Sequence, residues 1–270
     1  MQFDQIARAG MVILGCGKMG SAMLAGWLKG GLPAASVHVI DPAPSDWLKG
    51  TGASINGPLP DAPAVAILAV KPQMMGAALP GLQALGNGAT LFISIAAGTS
   101  LAQLGETLGS DTPIIRAMPN TPAAVGCGIS ALVGNAQVSE AHLDMAEGLL
   151  AAVGETVRLE EEAQIDAVTG VSGSGPAYVF HLIETMAKAG EAEGLAPELA
   201  MQLARATVIG AGQLAAGSDE SAAQLRQNVT SPKGTTEAGL KILMDEDAGL
   251  PPLMRKAVAA AANRARELSQ

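Results

Sequence analysis

Two patterns of apolar residues divide the chain. Through the first 160 residues, short runs rich in Val, Ile and Leu alternate with stretches of helical periodicity, which is typical of buried strands connected by helices. The predicted strands cover residues 11–14, 37–40, 64–70, 90–95, 114–118 and 156–159, and the clearest helices between them cover 21–29, 73–85 and 101–108. This β-α-β alternation predicts an α/β domain with a doubly wound parallel sheet.

Beyond Glu160 the apolar residues recur only at helical spacing. The predicted helices cover residues 165–193, 197–216, 220–229 and 251–268. The chain is therefore expected to form two domains, 1–160 and 161–270, of which the second contains helices alone. Because those helices are rich in Ala and Gly, they present broad, shallow apolar faces. We expect a second copy of the chain to cover these faces in a homodimer, or in a higher oligomer built on dimers.

Composition and charge narrow the functional class. The 270 residues carry a net charge of −9 and their basic residues are scattered, which argues against a nucleic-acid partner. Cys16 and Cys127 lie far apart without metal-ligand spacing, so the sequence predicts a reducing compartment and no bound metal. The N-terminus lacks the pattern of a signal peptide, and no apolar stretch approaches the roughly 20 residues of a membrane span. We therefore expect a cytoplasmic protein without a membrane partner.

A glycine motif follows the first predicted strand. Gly15, Gly17 and Gly20 stand in the order G-x-G-x-x-G directly before a helical stretch. In a dinucleotide-binding domain of the Rossmann type, the first glycine permits a tight turn, the second lets the backbone approach a pyrophosphate, and the third lets the helix pack on its strand. A simple glycine turn is the alternative, but the strand, the helix and the later β-α units predict NADP or NAD as cofactor.

Charged residues after the next strands leave the choice between the two cofactors open. Asp41 ends the second predicted strand, where an acid binds the ribose hydroxyls of NAD and repels the 2′-phosphate of NADP. Pro42 follows it, however, and an aspartate in a solvent-facing turn is an equally ordinary interpretation. Lys71, after the third strand, could contact a phosphate or a ribose, or lie at the surface as an ordinary turn lysine.

A second candidate site lies late in the chain. Residues 228–239 read Asn-Val-Thr-Ser-Pro-Lys-Gly-Thr-Thr-Glu-Ala-Gly, which places small hydroxyl side chains and glycine where a helical pattern resumes at Glu237. Backbone amides at the start of a helix bind anions, so this segment is predicted to hold an anionic substrate.

Five motifs in order give the chain a family resemblance. After the glycine motif come Ala-Val-Lys-Pro at 69–72, Arg-Ala-Met-Pro-Asn-Thr-Pro-Ala at 116–123, Val-Ser-Gly-Ser-Gly-Pro-Ala-Tyr at 171–178 and Thr-Ser-Pro-Lys-Gly-Thr-Thr at 230–236. With this combination the chain resembles the pyrroline-5-carboxylate reductases over nearly its whole length. The resemblance implies hydride transfer from NAD(P)H to the C=N carbon of 1-pyrroline-5-carboxylate, which gives L-proline in the last step of proline biosynthesis. It also implies a Rossmann domain and a helical dimerisation domain that interlocks with a partner, so that each active site uses residues of both chains.

The motifs and the resemblance together name the candidate site residues. The cofactor is expected against the glycine motif and the loops after the predicted strands, namely Leu14, Gly15, Cys16, Gly17, Lys18, Met19, Gly20, Asp41, Asn56, Ala69, Val70, Lys71, Pro72, Ile95, Ala96, Ala97 and Asn120. The resemblance implies that the substrate contacts Ser231, Gly234, Thr235 and Thr236, with Val229 as an apolar wall. Thr236 and Ser231 would be the catalytic side chains.

Lys233 departs from the family pattern. The family usually carries two glycines after Ser-Pro, and here Lys233 takes the first of these positions. Because glycine suits a positive φ, the substitution puts the loop geometry in question. The ammonium of Lys233 could pair with a substrate carboxylate or a cofactor phosphate, or extend into solvent.

The chemistry of a cyclic imine suits the residues in these loops. A protonated imine accepts hydride without a strong side-chain acid, so the protein mainly orients two rings and holds a carboxylate. One alternative is a β-hydroxyacid dehydrogenase, which would need a lysine acid soon after Gly173 and Gly175. The first lysine after these glycines, however, is Lys188. The other is a catalytically idle, nucleotide-sensing dimer, which the presence of Lys233 in the substrate loop suggests.

Overall fold

The computed structural model describes residues 3–269, which form two compact units. The first unit contains residues up to Gly173 together with 261–269, and the second contains Ser174–Ala260. These boundaries do not coincide with the division at residue 160, because residues 161–173 and the end of the chain's last helix belong to the first unit. The functional division into 1–160 and 161–270 stays a prediction.

The first unit is built on a sheet of eight strands. In sheet order they are β3, β2, β1, β4, β5, β6, β7 and β8, and the first six are mutually parallel. Their bounds are β1 Met11–Leu14, β2 Val37–Ile40, β3 Ser54–Ile55, β4 Val65–Leu68, β5 Leu91–Ser94, β6 Ile114–Met118, β7 Gly128–Gly134 and β8 Gly154–Arg158. The predicted doubly wound parallel sheet is confirmed for β1 to β6. It does not extend to β7, which lies antiparallel to β6 and pairs in parallel with β8.

Helices cover both faces of this sheet. They are α1 Asp4–Ala9, α2 Lys18–Lys29, α3 Asp46–Lys49, α4 Pro72–Ala78, α5 Leu101–Leu108, α6 Glu140–Leu150 and α7 Gln164–Val168. Strand β1 is buried on both sides. Met11 and Ile13 join an apolar core with α2 and α6, whereas Val12 and Leu14 join a second core with α4 and α5. Burial of both faces explains why this strand is a continuous apolar run rather than an alternating one.

The second unit contains only helices among its described elements. They are α8 Gly175–Ala192, α9 Pro197–Ala216, α10 Ala222–Asn228, α11 Thr235–Leu243 and α12 Leu250–Leu268, of which α12 ends in the first unit. Small residues let α8 and α9 pack closely, since Ala187, Ala200 and Ala204 form the buried contact. The predicted helix 165–193 is wrong as a single element. It is divided into α7, a π-helical turn at Thr169–Gly173 and α8, which has a proline in its first turn.

Candidate active site

The glycine motif connects the buried end of β1 to the start of α2. Gly15 has φ +85°, and a β-carbon there would lie 2.7 Å from Val70 Cγ1. A β-carbon on Gly20 would lie 2.9 Å from the Gly15 carbonyl oxygen, whereas one on Gly17 would meet nothing within 4 Å. Gly15 and Gly20 are therefore required by the protein's own packing. Gly17 instead leaves open space at the N-terminus of a 12-residue helix, and this arrangement fits a pyrophosphate.

Asp41 is held against the glycine motif by main-chain groups. Its Oδ2 accepts a hydrogen bond from Cys16 N at 2.7 Å, and its Oδ1 accepts one from Ala43 N at 2.8 Å. Asn56 fixes the Asp41 backbone from the neighbouring strand end, because its Oδ1 accepts from Asp41 N and its Nδ2 donates to Asp41 O. Pro42 thus does not turn the carboxylate away from the motif.

The thiol of Cys16 lies buried inside the same motif. Burial raises its pKa, with a further upward contribution from the charge of Asp41 and an opposing one from the Ser21 hydroxyl. A raised pKa keeps the thiol protonated and a poor nucleophile near neutral pH. We therefore assign Cys16 a packing role in the motif, and its backbone amide a role in holding Asp41.

The loops after β4 and β5 lie beside the glycine motif. Ala69 N donates to Leu14 O at 2.8 Å, and Ile95 N donates to Leu68 O at 3.0 Å, so the carboxyl ends of β1, β4 and β5 are connected one to the next. Lys71 and Pro72 begin α4 at the exposed rim. The structure thus gathers the predicted cofactor residues of these loops at one edge of the sheet, where doubly wound folds bind dinucleotides.

Asn120 uses its side-chain amide for internal contacts. Its Oδ1 accepts from Ile129 N at 3.0 Å and its Nδ2 donates to Ser172 O at 3.2 Å. These bonds fix the loop after β6 to the start of β7 and to the π-helical turn. A cofactor contact by Asn120 stays a prediction, and its observed partners give it a structural role.

The late candidate segment forms the start of α11 in the second unit. Gly234 is the residue before the helix, and its N–H donates to Ser231 O at 3.0 Å. Ser231, Thr235 and Thr236 are exposed, and so is Val229. The first amides of any helix lack partners within the helix, so the turn offers N–H groups and hydroxyls to an anion.

Lys233 adopts the left-handed conformation in which glycine is usual. Its φ is 59°, and its N–H donates to Glu237 Oε2 at 2.6 Å. The turn therefore keeps the geometry that its sequence put in question, with a lysine in place of glycine. The Glu237 carboxylate also lies in the first turn of α11, where an acid stabilises a helix.

The remaining observations concern groups outside these loops. A β-carbon on Gly173 would lie 2.7 Å from Met118 Cε, so this glycine has a packing role, whereas one on Gly175 would meet nothing within 4 Å. Within residues 3–269, no group of three His, Cys, Asp or Glu residues is arranged to bind a metal ion. No helix in the same range has the length and apolar character needed to cross a bilayer.

The sequence interpretation missed a buried ion pair close to the β5 loop. Arg116 Nη1 lies 2.8 Å from Glu162 Oε1, and the arginine side chain is only 6% exposed. A signal was present, because Arg116 interrupts an otherwise apolar strand. A lone charge in a buried strand requires an opposite charge from elsewhere in the fold.

Both halves of the chain match known protein families. Residues 162–268 match the family described as pyrroline-5-carboxylate reductase dimerisation, and residues 11–98 match the family described as NADP oxidoreductase, coenzyme F420-dependent.

Similar proteins cover nearly the whole chain. A pyrroline-5-carboxylate reductase of Pseudomonas aeruginosa is 42% identical over 96% of this chain and 97% of its own length. Among solved structures, a pyrroline-5-carboxylate reductase from Coxiella burnetii has a TM-score of 0.90 at 34% identity, covering 97% of this chain and 99% of its own. The Plasmodium falciparum enzyme with NADP bound has a TM-score of 0.83 at 28% identity, covering 98% and 99% respectively.

Proposed function

The chain belongs to the pyrroline-5-carboxylate reductase family, and from that premise we propose that it reduces 1-pyrroline-5-carboxylate to L-proline with NADPH or NADH. The observation that carries the proposal is the extent of the relationship. Identity of 42% extends over 96% of the chain, so it includes both the glycine motif and the late segment at 230–236. The biosynthesis of proline is the process to which this reaction belongs.

The cofactor is proposed to bind at the carboxyl edge of the sheet in the first unit. When bound, its reduced nicotinamide supplies the hydride. The space beside Gly17 and the N-terminus of α2 support a pyrophosphate site there. Asp41 would meet the adenosine ribose, while the small side chains of Ala69, Ala96 and Ala97 leave room for the nicotinamide.

The substrate is proposed to bind at the start of α11. The main-chain N–H of Thr235 and the Ser231 hydroxyl would hold its carboxylate, while the Gly234 N–H, which donates to Ser231 O, would fix the shape of the turn. The Thr236 hydroxyl would hydrogen-bond to the ring nitrogen and orient the imine, and Val229 would pack against the ring. Because this site needs only positioned hydrogen bonds, it suits an imine that is protonated without a strong acid.

A carbonyl substrate is poorly supported by this chain. The first lysine after Gly175 is Lys188, whose Nζ donates to Glu184 Oε1 at 2.9 Å on the exposed surface of α8. Residues 175–187 thus contain no lysine to act as the proton donor that a β-hydroxyacid dehydrogenase requires, and Lys188 is occupied by a surface ion pair.

We further propose that the working form is a homodimer, or an oligomer built on dimers, in the cytoplasm. The match to a dimerisation family supports self-association. The many exposed apolar side chains of the second unit, among them Phe180, Ile209 and Leu214, support a second copy as the partner. Cys16 and Cys127 are not joined in a disulfide, which agrees with a reducing compartment.

Cofactor oxidation followed by absorbance tests the reaction. The purified chain is expected to oxidise NADPH or NADH on addition of 1-pyrroline-5-carboxylate and to form proline. Thr236→Ala should lower kcat/KM by about tenfold to a thousandfold, the scale of one or two positioned hydrogen bonds, whereas Thr236→Ser retains the hydroxyl and most of the activity. Absence of substrate-dependent oxidation with both cofactors rejects the proposed function, and an unaltered rate in Thr236→Ala rejects the residue.

A further inference from the structure

We propose that Glu162 is a positioning residue for the cofactor loop, defined here as residues Ile95–Thr99; this inference rests on the proposed function. The loop connects β5 to α5. Glu162 Oε1 accepts a hydrogen bond from Leu101 N, the first residue of α5, at 2.9 Å. The same oxygen accepts from Arg116 Nη1 at 2.8 Å. A carboxylate from a segment remote in sequence thereby contacts the first residue of α5.

The buried guanidinium of Arg116 gives the half-buried Glu162 carboxylate a defined position. The Arg116 side chain is 6% exposed and that of Glu162 is 29% exposed. A buried guanidinium requires a paired and hydrogen-bonded partner, so Arg116 on β6 holds the carboxylate in one place. Arg116 Nη2 also donates to Ser269 Oγ at 3.4 Å, which connects the pair to the end of the described chain.

The ends of the cofactor loop are fixed, and its middle lies close to the end of α12. At one end, Ile95 N donates to Leu68 O at 3.0 Å. At the other, Ser100 and Gln103 form a reciprocal capping box, and the Glu162 carboxylate adds the acceptor for Leu101 N. In the middle, Gly98 has φ +75°, and a β-carbon there would lie 3.0 Å from Leu268 O.

This arrangement assigns separate tasks to the residues around α5. The capping box is local and would form in any helix with this sequence, because its two residues belong to the same turn. The Glu162 contact is tertiary and sets the distance of α5 from β6 and α7. If Ala96 and Ala97 line the nicotinamide, loss of the Glu162 contact should loosen that half of the cofactor site while the glycine motif remains intact.

The test uses variants of the full chain that separate hydrogen bonding from charge and stability. Glu162→Leu removes the acceptor and leaves Arg116 unpaired. Arg116→Met combined with Glu162→Leu removes both charges but still leaves Leu101 N without its acceptor. Glu162→Gln keeps an oxygen that can accept from Leu101 N, and Glu161→Leu changes an exposed neighbouring acid as the matched control.

Three quantities are measured on each variant: the dissociation constant for NADPH by fluorescence titration, amide hydrogen exchange across residues 95–104, and the melting temperature. Glu162→Leu is expected to weaken NADPH binding about tenfold, to accelerate exchange about tenfold and to melt at a lower temperature than the parent. The double variant should recover melting temperature but retain the weak binding and fast exchange. Glu162→Gln and Glu161→Leu should bind NADPH within about twofold of the parent.

Two results would overturn the inference. One is parent-like NADPH binding and exchange in Glu162→Leu. The other is full recovery of NADPH binding in the double variant, which would mean that only the unpaired charge of Arg116 mattered. NADPH binding and hydrogen exchange are both measured without turnover. A parent chain that binds NADPH but does not reduce 1-pyrroline-5-carboxylate would therefore reject the proposed function, while the role of Glu162 could still be tested.

Discussion

Single residues in the two candidate sites are constrained by different physical causes. At Gly15, a positive φ coincides with a side chain 2.7 Å from where a β-carbon would lie, so both backbone and space demand glycine. At Lys233 only the backbone demands it, and the residue is exposed. A lysine can therefore occupy position 233 at a modest conformational cost. At position 15, by contrast, any side chain would have to displace Val70.

The charge of Asp41 is expected to influence cofactor preference. Asp41→Asn removes the charge and keeps an oxygen that can accept from Cys16 N. We expect kcat/KM with NADPH to rise relative to NADH by about tenfold, equivalent to about 1.4 kcal/mol, because repulsion of the 2′-phosphate is lost. Steady-state kinetics with both cofactors measures the ratio, and Asp61→Asn, at an exposed acid, serves as the control. An unchanged ratio removes Asp41 from the ribose site.

The backbone conformation of Lys233 predicts an order of stabilities. Asn tolerates the left-handed region, so Lys233→Asn should match the parent in free energy of unfolding. Lys233→Val places a β-branched residue there and should lower that free energy by about 1–2 kcal/mol in urea denaturation. Equal stability of the two variants would contradict the assigned φ.

In Lys233→Gly, an unchanged KM for the substrate would reject an ionic role for the lysine.

Among the elements, α8 and α9 illustrate how small residues bring two helices together. Ala187, Ala200 and Ala204 are buried at their contact, and a β-carbon on Gly190 would lie 3.4 Å from Ala200 Cβ. Because the alanines themselves fill the contact, close approach of the backbones replaces the large side chains that form most helix interfaces. An interface of this kind has little room for larger residues.

Enlarging this contact should destabilise the second unit. Ala187 is 1% exposed, so Ala187→Leu is expected to lower the free energy of unfolding by about 1–3 kcal/mol through overpacking. Ala192→Leu, an exposed position at the end of the same helix, should change it by less than about 0.5 kcal/mol. Chemical denaturation at fixed protein concentration measures both variants. Comparable losses in the two would refute the packing assignment.

At the scale of the whole molecule, exposed apolar side chains distinguish the two units. In the second unit Phe180 is 64% exposed, and Ile209, Leu214 and Ile242 are each more than half exposed. The first unit, by contrast, buries most of its large apolar residues in two cores on either side of the sheet, with Val125 and Val171 among the exposed exceptions. Exposed apolar surface of this extent in a helical unit favours self-association, and the proposed second copy would cover it in both chains at once.

A charge in this surface should weaken self-association. Phe180→Asp is expected to raise the dissociation constant of the dimer at least about tenfold, since it introduces a carboxylate that would be desolvated at the interface. Val125→Asp, at a residue of the first unit that is 78% exposed, should leave assembly unchanged. Sedimentation velocity over a concentration series distinguishes the two. A parent chain that stays monomeric at micromolar concentration would contradict the proposed assembly.

Local sequence patterns predicted many of the helices and strands correctly, but they failed where contacts between distant segments determine the structure. Strands β1 and β2 and helices α5 and α9 match their predicted bounds, because apolar period and capping residues act within a few positions. Strand β7 was missed; it pairs antiparallel with β6, and Asn120 in the intervening loop accepts a hydrogen bond from Ile129 N at its start. The segment predicted as one helix at 165–193 forms two helices, because the glycines at 170 and 173 and Pro176 permit a π-helical turn at Thr169–Gly173 between them.

The sequence by itself determined the class of the protein: a glycine motif between strand and helix, a helical second half and a hydroxyl-rich turn are local features, and each was recognisable without coordinates. Only the tertiary structure decided how these features are held in place. It showed that Asn56 and Cys16 orient Asp41, and that Glu162 and Arg116 meet at the start of α5. The reason is physical, since a buried polar group needs a partner and the chain can supply that partner from any position that folding brings near.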